Sequence, residues 1–295
     1  MPVNNRKFLS QGAVVHVMES HAKDKQQTAS LILAAGRGSR MTGFEGNKTL
    51  LPLVPTGSPF EGDQPILLHI LNRLPPGPKA VVVNHRKEDV IRFTRSLGLS
   101  YFEQPLLNGT GGALIAAREF LENLDCDRFI VTMGDVPLVM RDTYLKLVDG
   151  LRDHTLMILG FHPFDKKQYG VLQMDGISVM RIIEWKYWKD YSQERQSRLK
   201  ICNSGIYAAG RTDLLHYLGI LEKRPHTVIK ERDGKMVKIE EYFITDLVEL
   251  MVADGLKAGC VVIEDENEVM GVDDLPSLIK AQDIFRMTTG VVRQE

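Results

Sequence analysis

Two loops of this chain carry residue types that handle phosphate. The apolar run Leu31 to Ala35 gives way to Gly36-Arg37-Gly38-Ser39-Arg40-Met41, with Lys48 shortly after. Glycines remove the side chains that would keep a phosphate from backbone N–H groups. Arg40 then offers a rigid fork of donors and Lys48 a mobile point charge. Farther on, the apolar run Arg128 to Met133 ends in Gly134-Asp135, an isolated carboxylate at a strand end, where a phosphate-bound Mg2+ could take a ligand. A second acidic pair, Asp273-Asp274, follows Glu268-Val269-Met270-Gly271-Val272, and either member could complete the protein's share of that ion. The pieces point to an enzyme that handles a nucleotide. Two common nucleotide motifs are excluded: GxxxxGK[ST] does not occur, and Met41 stands at the third glycine of GxGxxG.

A second group suits the organic parts of such a substrate. Gln104 and Gly109-Thr110-Gly111-Gly112 join a planar amide to an open loop backbone, which matches the hydrogen-bonding edge of a base. Thr110 is also placed to cap the helix that follows. Tyr169-Gly170, Glu184 and Asn203-Ser204-Gly205 supply the glycine backbone, carboxylate and amide that sugar hydroxyls need. Taken alone, each is equally a turn or cap residue. His69, His85 and His162 read as structural or surface residues, and no serine, histidine or cysteine nucleophile is required.

Positioning these loops takes strands that alternate with helices. Strands are expected at Ser30–Ala35, Ala80–Asn84, Tyr101–Glu103 and Arg128–Met133, with helices at Ile66–Leu74, Glu88–Leu97 and Thr110–Leu124. The second half reads as strands at Thr155–Gly160, Tyr169–Gln173, Gly176–Glu184, Asn203–Ala208 and Cys260–Glu264. Helices are expected at Tyr242–Asp254 and from Ile279. Trp185 to Lys200 reads as an exposed excursion, Gly12 to Met18 as a short added strand and His21 to Thr28 as a polar connector. The fold class is α/β: a mixed, mainly parallel, Rossmann-like sheet with a small strand-rich subregion over its rim and the active site at the strand ends.

Composition narrows the partners. The chain has 295 residues with 43% hydrophobic and 25% charged, ordinary for a globular protein. A formal net charge of -1 argues against nucleic acid as a partner. The cysteines, Cys126, Cys202 and Cys260, have no metal or disulfide spacing. No apolar stretch is long enough to span a membrane and the N-terminal stretch lacks a secretory core, so a cytoplasmic address is expected. Nothing in the sequence sets the oligomeric state.

In order along the chain, LAAGRGSRM, NKTLLPL, QPLLNGTGGAL, GDVPL, YGVL, EWK, NSGIY, EYFITD and EVMGVDD resemble the sugar-nucleotide pyrophosphorylases, a nucleotidyltransferase family. The likeness is nearest to the uridylyltransferase domain that makes UDP-N-acetylglucosamine. It implies a nucleotidyltransferase domain over 29–278, with 1–28 an N-terminal extension and 279–295 a C-terminal helix or tail. It also implies that Leu33, Ala34, Ala35, Gly36 and Gly38 line the nucleotide while Arg40 and Lys48 meet phosphates. Gln104, Gly109 and Thr110 would read uracil, Asp135 and Asp273 would hold Mg2+, and Gly170, Glu184 and Asn203 would hold the sugar. The implied substrates are UTP and a sugar 1-phosphate, N-acetylglucosamine 1-phosphate first. Another base or phosphorylated acceptor, or a non-catalytic nucleotide-sugar binder, stay open. Asp273 stands where that family carries asparagine. Pro55 to Asp63 reads as an insertion, and no hexapeptide-repeat acetyltransferase segment of the bifunctional bacterial enzymes is seen up to Glu295.

Overall fold

A computed structural model describes residues 27–232 and 235–290. The expected strand at Gly12 to Met18 therefore lies outside the described residues.

Strand β1 (Thr28–Leu33) leads through a long loop into a hairpin of β2 (Pro52–Thr56) and β3 (Ser58–Pro65). Then follow α1 (Ile66–Arg73), β4 (Lys79–Val83), α2 (Lys87–Thr94), β5 (Ser100–Glu103), α3 (Thr110–Ala116), α4 (Arg118–Asn123) and β6 (Arg128–Met133). The second half holds α5 (Arg141–Gly150), β7 (Leu156–Phe161), β8 (Val171–Asp175), β9 (Ser178–Ile183), α6 (Trp185–Trp188), α7 (Gln193–Arg198) and β10 (Cys202–Gly210). It closes with α8 (Arg211–Leu221), β11 (His226–Arg232), β12 (Lys235–Glu241), α9 (Asp246–Ala253), β13 (Ala258–Ile263) and α10 (Leu275–Thr289).

The main sheet runs β13-β7-β10-β6-β1-β4-β5, with β8 and β9 attached beside β10. Strands β6, β1, β4 and β5 are parallel, whereas β10 is antiparallel to both β6 and β7. The class is as expected: a mixed α/β Rossmann-like sheet with a strand-rich subregion. Chain order moves from β1 outward to β4 and β5, then back across to β6. The switch point therefore lies between β1 and β6, where open α/β sheets bind ligands.

Side-chain alternation makes both faces of the sheet apolar. Ile32, Val81 and Ile130 pack under α1, α5 and α10, while Leu31, Leu33, Val82 and Val131 pack under α3, α8 and α9. Three departures from the expected elements bear on the site. Thr110–Leu124 breaks at Ala117, where Ala117 N–H bonds Leu114 O in a tightened turn. The 242–254 helix starts only at Asp246, so residues 242–243 are irregular wall and 244–245 a turn rather than helix. Trp185 to Lys200 is no bare excursion. Its two short helices bury Trp188 and Leu199 in the core, and Trp188 Nε1–H donates to Tyr169 O at 2.8 Å.

Candidate active site

Asn47 sets the loop that carries Lys48. It is buried, its Oδ1 accepts from Thr49 N–H at 3.0 Å and from the Thr49 hydroxyl at 2.8 Å, and its Nδ2–H donates to His85 O at 2.8 Å. Met41 plugs into the core below the loop, which explains an apolar residue at the third glycine position. Lys48, next to Asn47, is thereby aimed along the sheet edge, and its stem runs beside Gly38.

The ammonium of Lys48 contacts Asp135 Oδ2 closely and Asp273 Oδ1 at 3.1 Å. Arg40 Nη2 reaches the other oxygen of Asp273 at 3.0 Å. Residues from the first loop, the end of β6 and the segment before α10 thus form one chain of charge, Arg40–Asp273–Lys48–Asp135. Burial alone would lower the Lys48 pKa. The charges of Asp135 and then Asp273, with their hydrogen bonds, outweigh it and hold the pKa above the usual lysine value. Arg40 is 71% exposed at the side chain, against 11% for Lys48, so the loop presents one mobile and one fixed cation.

Asp273 and Asp274 separate cleanly. Asp274 caps α10, accepting from Ser277 N–H at 2.9 Å and from the Ser277 hydroxyl at 2.6 Å, and these bonds depress its pKa. Only Asp273 faces the two cations.

Beside this charge chain opens a cleft of about 530 Å3. Gly36, Gln104, Gly109 and Thr110 line one side; Gly170, Glu184 and Asn203 line the other; Leu33 and Ala35 also reach it. Ala34 does not line it: the methyl group turns into the core, 3% exposed. Gln104 Nε2–H donates to Asn108 Oδ1 and to Gly109 O, each at 2.9 Å. With its donors so engaged, Gln104 has its carbonyl oxygen to offer a base. Gly109 has φ +93°, and a Cβ there would stand 2.3 Å from Tyr242 O, so the loop presses against the 242–244 wall at backbone distance. Thr110 does not cap α3. Its hydroxyl instead accepts from Ile244 N–H at 3.3 Å, tying the start of the helix to that wall.

Across the cleft, Asn203 N–H donates to Gly170 O at 2.8 Å, while the Asn203 amide accepts from Gly205 N–H at 3.0 Å and donates to Tyr207 Oη at 2.8 Å. These bonds span the irregularity in β10 and hold the turn open. Glu184 accepts from the Thr245 hydroxyl at 2.9 Å and overhangs Gly170. Burial, and next the negative charge of Asp273, push the Tyr169 phenol pKa up.

The sequence reading passed over Asn47, Phe243 and Thr245. Asn47 had a signal, an Asx two residues before a threonine at a helical turn. Phe243 and Thr245 were hidden by carrying the α9 apolar pattern too far toward the N-terminus.

The chain resembles known proteins in sequence and in fold. Residues 30–172 match the family described as "MobA-like NTP transferase domain". The "Bifunctional protein GlmU" of Ruegeria pomeroyi is 30% identical over 264 residues, 88% of this chain and 53% of that protein. The GlmU of Cereibacter sphaeroides is 32% identical over 265 residues, covering 88% and 52%. The chain spans about half the length of the curated relatives it matches. The crystal structure of the uridine diphosphate N-acetylglucosamine pyrophosphorylase from Trypanosoma brucei in complex with inhibitor shares the fold. Its TM-score is 0.67 at 13% identity, over 87% of this chain and 65% of that one. Over residues 30–172 the chain is thus similar to NTP transferase domains, and over most of its length to about half of the GlmU proteins.

Proposed function

We propose that this chain transfers a uridylyl group from UTP to N-acetylglucosamine 1-phosphate with Mg2+, forming the UDP-sugar and releasing pyrophosphate. One observation carries the reading. Lys48 joins Asp135 to Asp273, Arg40 adjoins them, and a cleft lined by Gln104, Gly170, Glu184 and Asn203 lies alongside. The likeness in fold to the uridine diphosphate N-acetylglucosamine pyrophosphorylase of Trypanosoma brucei supports uridine and N-acetylglucosamine as the first substrates to try.

The donor set fits the ion. Two carboxylates that share one ammonium stand close enough to share one cation. Mg2+ is commonly bound by one or two carboxylates, with phosphate and water oxygens completing its octahedron. Asp135 and Asp273 would hold it, and when bound it supplies charge neutralisation on the phosphate oxygens. A phosphate oxygen of the acceptor attacks the α-phosphorus in line. That P–O bond forms as the bond to the bridging oxygen breaks, and the electron pair leaves on pyrophosphate. The acceptor phosphate is already ionised at neutral pH, so no general base is needed. Positioning and electrostatics carry the rate. Arg40, mobile and outermost, follows the charge that grows on the leaving pyrophosphate. Lys48 stays protonated and steadies the acceptor phosphate or the α-phosphate. Gln104 Oε1 accepts from an N–H of the base, while Glu184 and the Gly170 backbone meet sugar hydroxyls.

The test is a pyrophosphate-release panel with Mg2+, crossing four nucleoside triphosphates with common sugar 1-phosphates. UTP with N-acetylglucosamine 1-phosphate should lead. A different leading pair reassigns the substrates, and binding of UDP-sugar without release in any pair identifies a non-catalytic binder.

A further inference from the structure

Asp135 and Asp273 come from distant segments, and two ties hold those segments side by side. Near the carboxylates, Val272 N–H donates to Asp135 O at 2.8 Å. At the other end of the Asp135 loop, Glu268 Oε1 accepts from Met140 N–H at 3.0 Å and from the Thr143 hydroxyl at 2.5 Å. Met140 is the N-cap position of α5 and supplies no side-chain cap of its own. A carboxylate from the far segment therefore meets the open start of that helix, where unpaired N–H groups and the helix dipole favour negative charge. The turn that carries Glu268 is itself anchored. Asp265 Oδ1 accepts from Asn267 N–H at 3.0 Å, Glu266 accepts from Phe164 N–H at 2.8 Å, and Val269 is buried. The Asp135–Met140 and Glu268–Asp273 segments are thus tied by two rungs, with the acidic pair at one end and Glu268 at the other.

We propose that Glu268 is a positioning residue: its clamp on Met140 and Thr143 sets the spacing of the Asp135 and Asp273 carboxylates and hence the grip of the site on its divalent cation. The role in turnover rests on the transferase reading above; the clamp itself does not. A functional constellation tolerates only about 0.5 Å of slack, and loss of a group supporting the ligands typically costs about 10–100-fold in metal affinity or activity.

The experiment compares wild type with Glu268→Ala and Glu268→Gln in three measurements. These are hydrogen exchange of fragments spanning 135–143 and 268–275, Mn2+ binding to the ligand-free protein by its paramagnetic signal, and the Mg2+ dependence of pyrophosphate release. Glu268→Ala should speed exchange in both fragments, weaken Mn2+ binding by on the order of 10-fold and raise the half-saturating Mg2+ by a similar factor. Turnover at saturating Mg2+ and the sugar-phosphate KM should stay near wild type. Glu268→Gln keeps the acceptor oxygen and should recover most of the loss. Faster exchange confined to 135–143, with unchanged Mn2+ binding, would reduce Glu268 to a cap on α5 and overturn the proposal. If the wild type itself releases no pyrophosphate, the transferase reading fails, and Mn2+ binding with exchange still decides for or against the clamp.

Discussion

In the proposed reaction, Asp135 and Lys48 carry most of the chemistry at the scale of single residues. Asp135 is packed against an ammonium and at most lightly exposed, so Asp135→Asn removes charge without changing shape. Turnover should fall by on the order of 10²–10³-fold, the usual cost of deleting one electrostatic group at a reacting phosphate, while the circular dichroism melt stays close to wild type. Wild-type turnover in that variant would remove Asp135 from the site. Lys48 gives a pH prediction with a definite sign. Its folded pKa lies above its unfolded value, so the stability it contributes is fully present below about 10.4 and is lost as pH rises through the folded pKa. Urea unfolding of wild type and Lys48→Met from pH 8 to pH 11 should converge toward the alkaline end. Parallel curves would mean that the pairs with Asp135 and Asp273 contribute nothing in solution. These residues were legible in sequence because backbone-exposing glycines, a trailing lysine and a carboxylate after an apolar run have local signatures. Asp273 against Asp274 was not legible. The distinction depends on which of the two caps α10, and that is fixed by Ser277.

Elements explain what surrounds that centre. The Pro55–Asp63 stretch, expected as an insertion, lies within the β2–β3 hairpin, which is tied down from the far end of the described chain. Gln282 of α10 donates to both Pro52 O and Pro59 O, at 2.9 and 2.8 Å. The hairpin in turn stacks Phe60 on Phe44 of the phosphate loop, ring centroids 5.6 Å apart. Gln282→Leu leaves two carbonyls without that donor and should cost about 1–3 kcal/mol in urea unfolding, with a rise in UTP KM as the loop loosens. Unchanged stability would show that water replaces the amide. On the proposed sugar side, Trp188→Phe keeps the packing but drops the bond to Tyr169 O. A loss of about 1 kcal/mol is expected, with the sugar-phosphate KM raised and the UTP KM unmoved. Equal effects on both KM values would break the link between α6 and the sugar wall. Helices with a clear apolar period, such as α1 and α2, were readable from sequence despite being only 8 residues long. Helices α5 and α8 and the β11–β12 hairpin were not assigned. Their segments mix polar and apolar residues without a strong period, and packing on the sheet decides them.

For the whole molecule, the parallel half of the sheet followed from βα alternation, but the antiparallel insertion of β10 between β6 and β7 did not. Strand order across a sheet is set by long-range burial, which no local window carries. The same holds for α10. It was expected as a terminal helix or tail from Ile279, yet it begins at Leu275 and buries Leu278, Ala281 and Phe285 against elements from the first third of the chain. Its contact with α1 runs through His69, whose ring meets Phe285 edge-on at 4.9 Å. Burial first, and the adjacent Arg73 second, lower the His69 pKa to about 4 from an ordinary 6.5. Between those values the unfolded chain binds a proton that the native chain refuses. Stability from this site is therefore complete above about pH 6.5 and drains away as pH falls toward 4. Melting temperatures of wild type and His69→Gln, measured from pH 7.5 down to pH 4, should show a shallower acid slope in the variant across that window. If the two slopes match, His69 titrates normally, and the α1–α10 junction is more open to water than its packing implies.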